Sequence, residues 1–176
     1  MIATNRLVLR QWKKSDAQRV TELLQDPSTS RYMTIPYPYD LSMAHSFITK
    51  AQSGARQKTS YEFCICTLDG ELIGGIGLSC IDHKDLRAIV GYWLSQPHRG
   101  KGYATEAVRA ILDFAFQKVL LERVDAIVYV PNLASAHVLE KCGFQKEGLM
   151  RSYARRDGNV YDAWMYGVLK KDFHKD

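Results

Sequence analysis

Two hydrophobic periods alternate along the chain. Arg6 to Trp12 sets Leu7, Leu9 and Gln11 against Val8 and Arg10, which predicts a strand buried largely on both sides. Ser15-Asp16 stands where a helix cap belongs, ahead of an apolar stripe of Ala17, Val20, Leu23 and Leu24, and Asp26-Pro27 stops that helix. Tyr32 to Asp40 holds Pro36, Pro38 and three tyrosines, so it predicts a loop, followed by a second helix from about Leu41 to Gln57. From Tyr61 the period changes to that of strands: Tyr61 to Thr67, a turn at Asp69-Gly70, Leu72 to Cys80, a polar loop at Asp82 to Asp85, and Arg87 to Leu94. After Gly102, the positions Tyr103, Ala107, Val108, Ile111, Leu112, Ala115, Phe116 and Val119 form the stripe of a long amphipathic helix. Arg123 to Val130 reads as a strand and Ala134 to Lys141 as a short helix closed by Gly143. Gln145 to Tyr153 and Val160 to Leu169 read as a hairpin turning at Asp157-Gly158-Asn159. The expected fold is α/β, with a mixed, mostly antiparallel sheet flanked by about four helices.

Composition narrows the class. With 176 residues, 46% of them hydrophobic and 24% charged, the chain suits one globular domain over 1–176. The start of the chain turns polar within a few residues, and no apolar run reaches the length of a membrane span, so the expectation is a cytoplasmic protein with no membrane partner. Cys64, Cys66, Cys80 and Cys142 show no CxxC spacing. Three of them fall in apolar runs, which predicts buried thiols and no metal. The net charge of +5 is spread along the sequence and favours an anionic small ligand or acidic substrate over nucleic acid, for which no basic block interleaved with aromatics exists.

The segment Gln96 to Glu106 carries the most chemistry. Arg99-Gly100-Lys101-Gly102 puts two glycines and two cations between a strand and a helix N-terminus. Glycine lets the backbone approach a ligand, and first-turn N–H groups with the positive end of the helix dipole attract a phosphate. GxGxxG would need glycine where Thr105 stands, and the P-loop spacing is absent. Taken alone, the loop is equally an ordinary glycine turn with surface cations.

Read in order, Gly91-Tyr92-Trp93-Leu94, Arg99 to Glu106, Asn132-Leu133-Ala134-Ser135 and Glu140-Lys141-Cys142-Gly143-Phe144 resemble the GNAT superfamily of N-acetyltransferases. Arg6-Leu7-Val8-Leu9-Arg10, Glu147 to Arg151 and Asp157-Gly158 resemble its RimJ/RimL branch, which acetylates ribosomal-protein N-termini. The resemblance implies acetyl-CoA as acetyl donor. Leu94 and Ser95 would pair with the pantetheine arm, and Arg99, Gly100, Lys101, Gly102, Tyr103, Ala104 and Thr105 would wrap the pyrophosphate. Asn132 would bind the pantetheine amide or cap its helix. The family's Gln or Arg three residues before the first glycine is Pro97 in this chain. Relatives often pair through sheet edges or helices, so a homodimer is among the expectations.

Direct acetyl transfer needs an amine made neutral, a donor for the carbonyl oxygen and a proton for the leaving sulfur. By resemblance the oxygen donor is the backbone N–H of Leu94. Ser135 is the acid, or else a helix cap, because the tyrosine that other branches place seven residues after the asparagine is Leu139. The strand glutamate of many relatives is Ile89, which leaves Glu62 as the carboxylate for a base, with His83 and Tyr92 as further candidates. Glu106 is expected to serve the helix dipole. The Tyr32 to Tyr39 loop, with Tyr37 and Tyr39, would shape the acceptor pocket together with Tyr92 and the Arg155 to Tyr161 hairpin loop, unless Tyr37 and Tyr39 merely seal the core. Three functions stay open: acetylation of a protein N-terminus, acetylation of a small amine, and a catalytically weak acyl-CoA-binding module.

Overall fold

The computed structural model describes residues 1–156 and 158–173, so Asp157 of the expected hairpin turn lies outside the described residues. In chain order the elements are β1 (Ile2–Ala3), β2 (Leu7–Gln11), α1 (Ala17–Gln25), α2 (Pro27–Ser30), α3 (Leu41–Gln57), β3 (Tyr61–Thr67), β4 (Leu72–Asp82) and β5 (Arg87–Leu94). They continue with α4 (Tyr103–Gln117), β6 (Arg123–Tyr129), α5 (Leu133–Lys141), β7 (Gln145–Arg156) and β8 (Asn159–Leu169). The strands form one sheet in the order β1-β2-β3-β4-β5-β6-β8-β7. Every neighbouring pair is antiparallel except β5 and β6.

Alternation sorts side chains to the two faces of this sheet. Leu7, Leu9, Phe63, Ile65, Ile76, Leu78, Ala88 and Val90 pack against the α4 stripe, which buries Ala107, Val108, Ile111, Leu112, Ala115 and Phe116. Cys64, Cys66, Leu72 and Trp12 face α1 and α3 on the other side. In β2 the burial is therefore mainly one-sided: Leu7 and Leu9 are sealed, while Val8 and Arg10 are half-buried.

Three local expectations are corrected. Asp16 does not cap α1; its carboxylate takes the Arg10 guanidinium at 2.8 Å and the Lys13 N–H at 2.7 Å, which holds it below the usual carboxylate range. Asp26-Pro27 is a start as well as a stop, because Asp26 accepts the Ser28 N–H at 2.8 Å and Pro27 opens α2, adding a helix to the expected set. Two residues at the chain start also pair with β2 as β1.

The feature that positions a site is a failed strand pairing. β5 and β6 are in register only from Arg87, Ala88 and Ile89 to Arg123, Val124 and Asp125, after which they diverge. The C-terminal half of β5 thus keeps β4 on one side and opens on the other. The cleft of the molecule lies there.

Candidate active site

A cleft of about 550 Å³ occupies the opening between β5 and β6. Its floor includes Tyr92, Trp93 and Leu94 of β5, one wall is the turn into α4, and another is the start of α5. Across from these stand Ser28 and Thr29 of α2, with Arg31, Tyr32 and Met33 just beyond it.

The turn into α4 is built by its glycines. Gly100 and Gly102 sit at φ of 73° and 80°, in the left-handed region that a side chain strains. Gly102 is the N-cap of α4, and the first intrahelical bond runs from the Glu106 N–H to its carbonyl at 3.1 Å, so the N–H groups of Tyr103, Ala104 and Thr105 precede the helical ladder. These groups and the helix dipole form an anion nest at the cleft wall. Pro97 fits without loss, since it opens a short 3₁₀ turn at Gln96–His98 where no N–H is required. Glu106 does more than serve the dipole: it accepts from the Thr4 hydroxyl at 2.6 Å, the Arg6 N–H at 2.8 Å and Arg6 Nε at 2.7 Å. Arg6 in turn donates to the Lys101 carbonyl at 2.9 Å and lies 4.8 Å from the centre of the Tyr103 ring. The start of the chain clamps the turn.

The end of β5 presents an orphan donor. Ser95 N–H donates to the Ile73 carbonyl at 2.9 Å, so Leu94 and Gly74 form a non-hydrogen-bonded pair and the Leu94 N–H points away from β4, toward the opening. The Leu94 carbonyl accepts from Arg99 Nε at 3.0 Å, and the same guanidinium donates to the Ser28 carbonyl at 3.1 Å.

On α5, Asn132 is the N-cap. Its side chain accepts the Ser135 N–H at 3.3 Å, so capping falls to Asn132 and not to Ser135. The Ser135 hydroxyl lies 2.9 Å from the Tyr92 hydroxyl, which also donates to the Ser135 carbonyl at 3.1 Å. Either hydroxyl can donate to the other, and the Ser135 carbonyl gives the Tyr92 proton a second acceptor. Burial raises the Tyr92 phenol well above its ordinary value, so it stays protonated. Leu139, where a tyrosine acid would stand, is sealed in the core.

Of the residues expected at the site, the cleft brings together Leu94, Arg99, Gly100, Gly102, Tyr103, Ala104, Thr105, Asn132, Ser135 and Tyr92. Lys101 is not in its lining. Ser95 is buried: its N–H serves Ile73, its carbonyl takes the His98 N–H at 3.0 Å and its hydroxyl meets His98 Nδ1 at 2.9 Å, and it is not among the residues lining the cleft. Tyr39 is only 4% exposed within the α1 and α3 core, and Tyr37 lies on the surface with its hydroxyl 3.4 Å from the Gln25 carbonyl; neither lines the cleft. Glu62 is also outside it. Its carboxylate folds over Gly77, where any Cβ would collide with it, and burial lifts it to about 7. His83 is tied to the Lys58 carbonyl at 2.8 Å. Among the described residues no group of His, Cys, Asp and Glu could hold a metal, and Cys64 and Cys66 lie 3.9 Å apart with both thiols buried.

The sequence expectations did not include Ser28, Thr29 and Arg31, nor on α5 His137, Val138 and Lys141, whereas Tyr32 and Met33 open the expected Tyr32 to Tyr39 loop. The α5 residues follow from Ala134 at helical spacing, a signal that was available. The α2 group depended on seeing Asp26-Pro27 as a helix start.

Residues 6–145 match the family model described as the acetyltransferase (GNAT) domain. The chain is 34% identical over 171 residues to the uncharacterized N-acetyltransferase p20 of Bacillus licheniformis, covering 97% of this chain and 96% of that protein. It is 27% identical over 148 residues to the spermidine N(1)-acetyltransferase of Escherichia coli, covering 84% and 77%. The structure of Mycobacterium smegmatis RimJ in complex with CoA-disulfide superimposes with a TM-score of 0.89 at 25% identity, covering 97% of this chain and 85% of that one. The chain belongs to the GNAT family and has its fold. It is an acetyl-CoA-dependent N-acetyltransferase of RimJ/RimL-like type. No helix among the described residues is long and apolar enough to cross a membrane.

Proposed function

We propose that the chain transfers acetyl from acetyl-CoA directly to a primary amine, in the first instance the α-amine of a protein N-terminus. The observation that carries this reading is the meeting, in one cleft, of the α4 anion nest, the outward Leu94 N–H and the Ser135 hydroxyl. The residues fit the donor. The nest of Gly100, Gly102 and the first turn of α4 suits a pyrophosphate, and the unpaired side of β5 suits an extended amide-bearing arm.

When bound, acetyl-CoA supplies an acyl carbon already activated as a thioester. The Leu94 N–H is aimed to donate to the carbonyl oxygen on which negative charge grows as the amine attacks and the C–N bond forms. The Ser135 hydroxyl gives its proton to the sulfur as the C–S bond breaks and regains one from solvent, while Tyr92, held protonated, donates a hydrogen bond to the serine oxygen. An α-amine with a pKa near about 8 is partly neutral at physiological pH and asks little of a base, so proton removal through solvent suffices. Glu62, the carboxylate that the sequence offers as base, is lifted to about 7 by burial but lies outside the cleft lining, so any part it takes in proton removal runs through solvent.

A small amine is the second reading, supported by the likeness to a spermidine enzyme. A homodimer, on the habit of relatives, belongs to the same reading and is checked by light scattering. Thiol release from acetyl-CoA with a panel of N-terminal peptides and small amines tests the function; donor binding without acceptor-dependent release overturns it in favour of an acyl-CoA-binding module. Ser135→Ala should lower kcat about a hundredfold with acetyl-CoA affinity unchanged, and full turnover would remove Ser135 as the acid.

A further inference from the structure

The acceptor end of the cleft has a charge of its own. Arg31 lines it and lies 5.2 Å from the centre of the Tyr32 ring. Tyr32 meets Tyr129 edge-on at 6.5 Å between ring centres, and Tyr129 stacks on Tyr161 at 5.5 Å and 15°, so an aromatic wall runs from the α2 side to the β7–β8 hairpin. Among the described residues, no aspartate or glutamate lines the cleft. The neighbouring carboxylates already accept from protein groups: Asp26 from the Ser28 N–H and hydroxyl at 2.8 Å each, Asp162 from the Ser152 N–H at 2.6 Å, and Asp40 from the Met43 N–H at 2.8 Å as the cap of α3. Glu62 lies over Gly77 on β4.

Ring faces attract an ammonium group, but the Tyr32 face is already taken by the Arg31 guanidinium, which repels a second cation and suits a carboxylate. Resting on the acetyltransferase reading above, we propose that the acceptor is an amine with a carboxylate close to its amino group, recognised through Arg31 at the tyrosine wall. Two sources share that chemistry: a free amino acid, and a peptide N-terminus followed by acidic residues. A polyamine lacks it.

The test compares kcat/KM for L-glutamate, a peptide with acidic second and third residues, the same peptide with lysines there, and spermidine, at low and high salt. An anionic acceptor should lead the cationic pair by about tenfold at low salt, with the margin shrinking as salt screens the charge. The choice between glutamate and the acidic peptide identifies the source. Arg31→Glu should invert the order and Arg31→Gln flatten it, with acetyl-CoA affinity measured alongside by calorimetry and folding by thermal melting. Spermidine or the lysine peptide leading, or an order unmoved in both variants, overturns the inference and leaves the enzyme reading standing. No turnover with any acceptor overturns both.

Discussion

The two ends of the cleft are made of different material. The donor end is backbone: Gly100, Gly102, the first turn of α4 and the Leu94 N–H, all fixed by secondary structure and braced by Thr4 and Arg6 through Glu106. The acceptor end is side chain: Arg31, Tyr32 and Met33 after a four-residue helix, facing tyrosines from β6 and the β7–β8 hairpin. Backbone recognition tolerates much sequence change and serves one shared donor. Side-chain recognition changes with every substitution, which is how a fold keeps its donor while its acceptor varies.

Damage to the donor end should be the most severe. Gly102→Trp combines a strained φ of 80° with a Cβ placed 3.2 Å from the Arg6 guanidinium. Acetyl-CoA affinity should fall more than about a hundredfold by calorimetry, and turnover with it, for every acceptor alike. Retained affinity would move the nest elsewhere.

A middle-sized effect belongs to Glu62, which lies outside the cleft over Gly77. Its carboxyl group is lifted to about 7 from the ordinary 4.5, so the folded chain holds that proton more tightly than the unfolded chain does. Its contribution to stability is therefore full below the unfolded value and is lost as pH rises through about 7. Glu62→Gln should abolish that slope and leave the variant more stable than the parent above neutrality, by at most about 3 kcal/mol. Denaturant melts from pH 5 to 8 read it. If Glu62 also receives the amine's proton, the same variant loses the limb near 7 from the kcat/KM profile. A stability change with an untouched profile would confine Glu62 to structure.

The smallest change is predicted for Tyr37→Phe. The hydroxyl is exposed and its contact to Gln25 is long, so stability should stay within about 0.5 kcal/mol and kinetics should not move for any acceptor. A shift in acceptor KM would return Tyr37 to the acceptor pocket, which Tyr32 otherwise holds.

This contrast also explains what could be read from the chain. Strands β3 and β5 and helix α3 have the bounds their periodicity predicted, because each is long enough to show its period. The glycine turn was legible because few residue types can adopt its backbone, with Gly100 and Gly102 at positive φ. β1 and α2, at two and four residues, are shorter than any period. Tyr37 and Tyr39 carried the right chemistry in the right loop, but where a side chain points along an irregular segment is decided by packing. Ser95 stands one residue past β5, and the one-residue alternation there separates the Leu94 donor, which faces the opening, from the Ser95 donor consumed by β4.

The clamp of Thr4 and Arg6 on Glu106 joins positions a hundred residues apart, and the groove beside it is walled by Ile2, Ala3, Thr4 and Asn5 together with Gly102 and Thr105. The chain start is thus a wall of a groove that shares Gly102 and Thr105 with the cleft. Kinetic constants from protein with and without an affinity tag fused ahead of Met1 should therefore differ in KM for acetyl-CoA before they differ in anything else. Protease cleavage ahead of Arg6, in turn, should slow when the donor is bound.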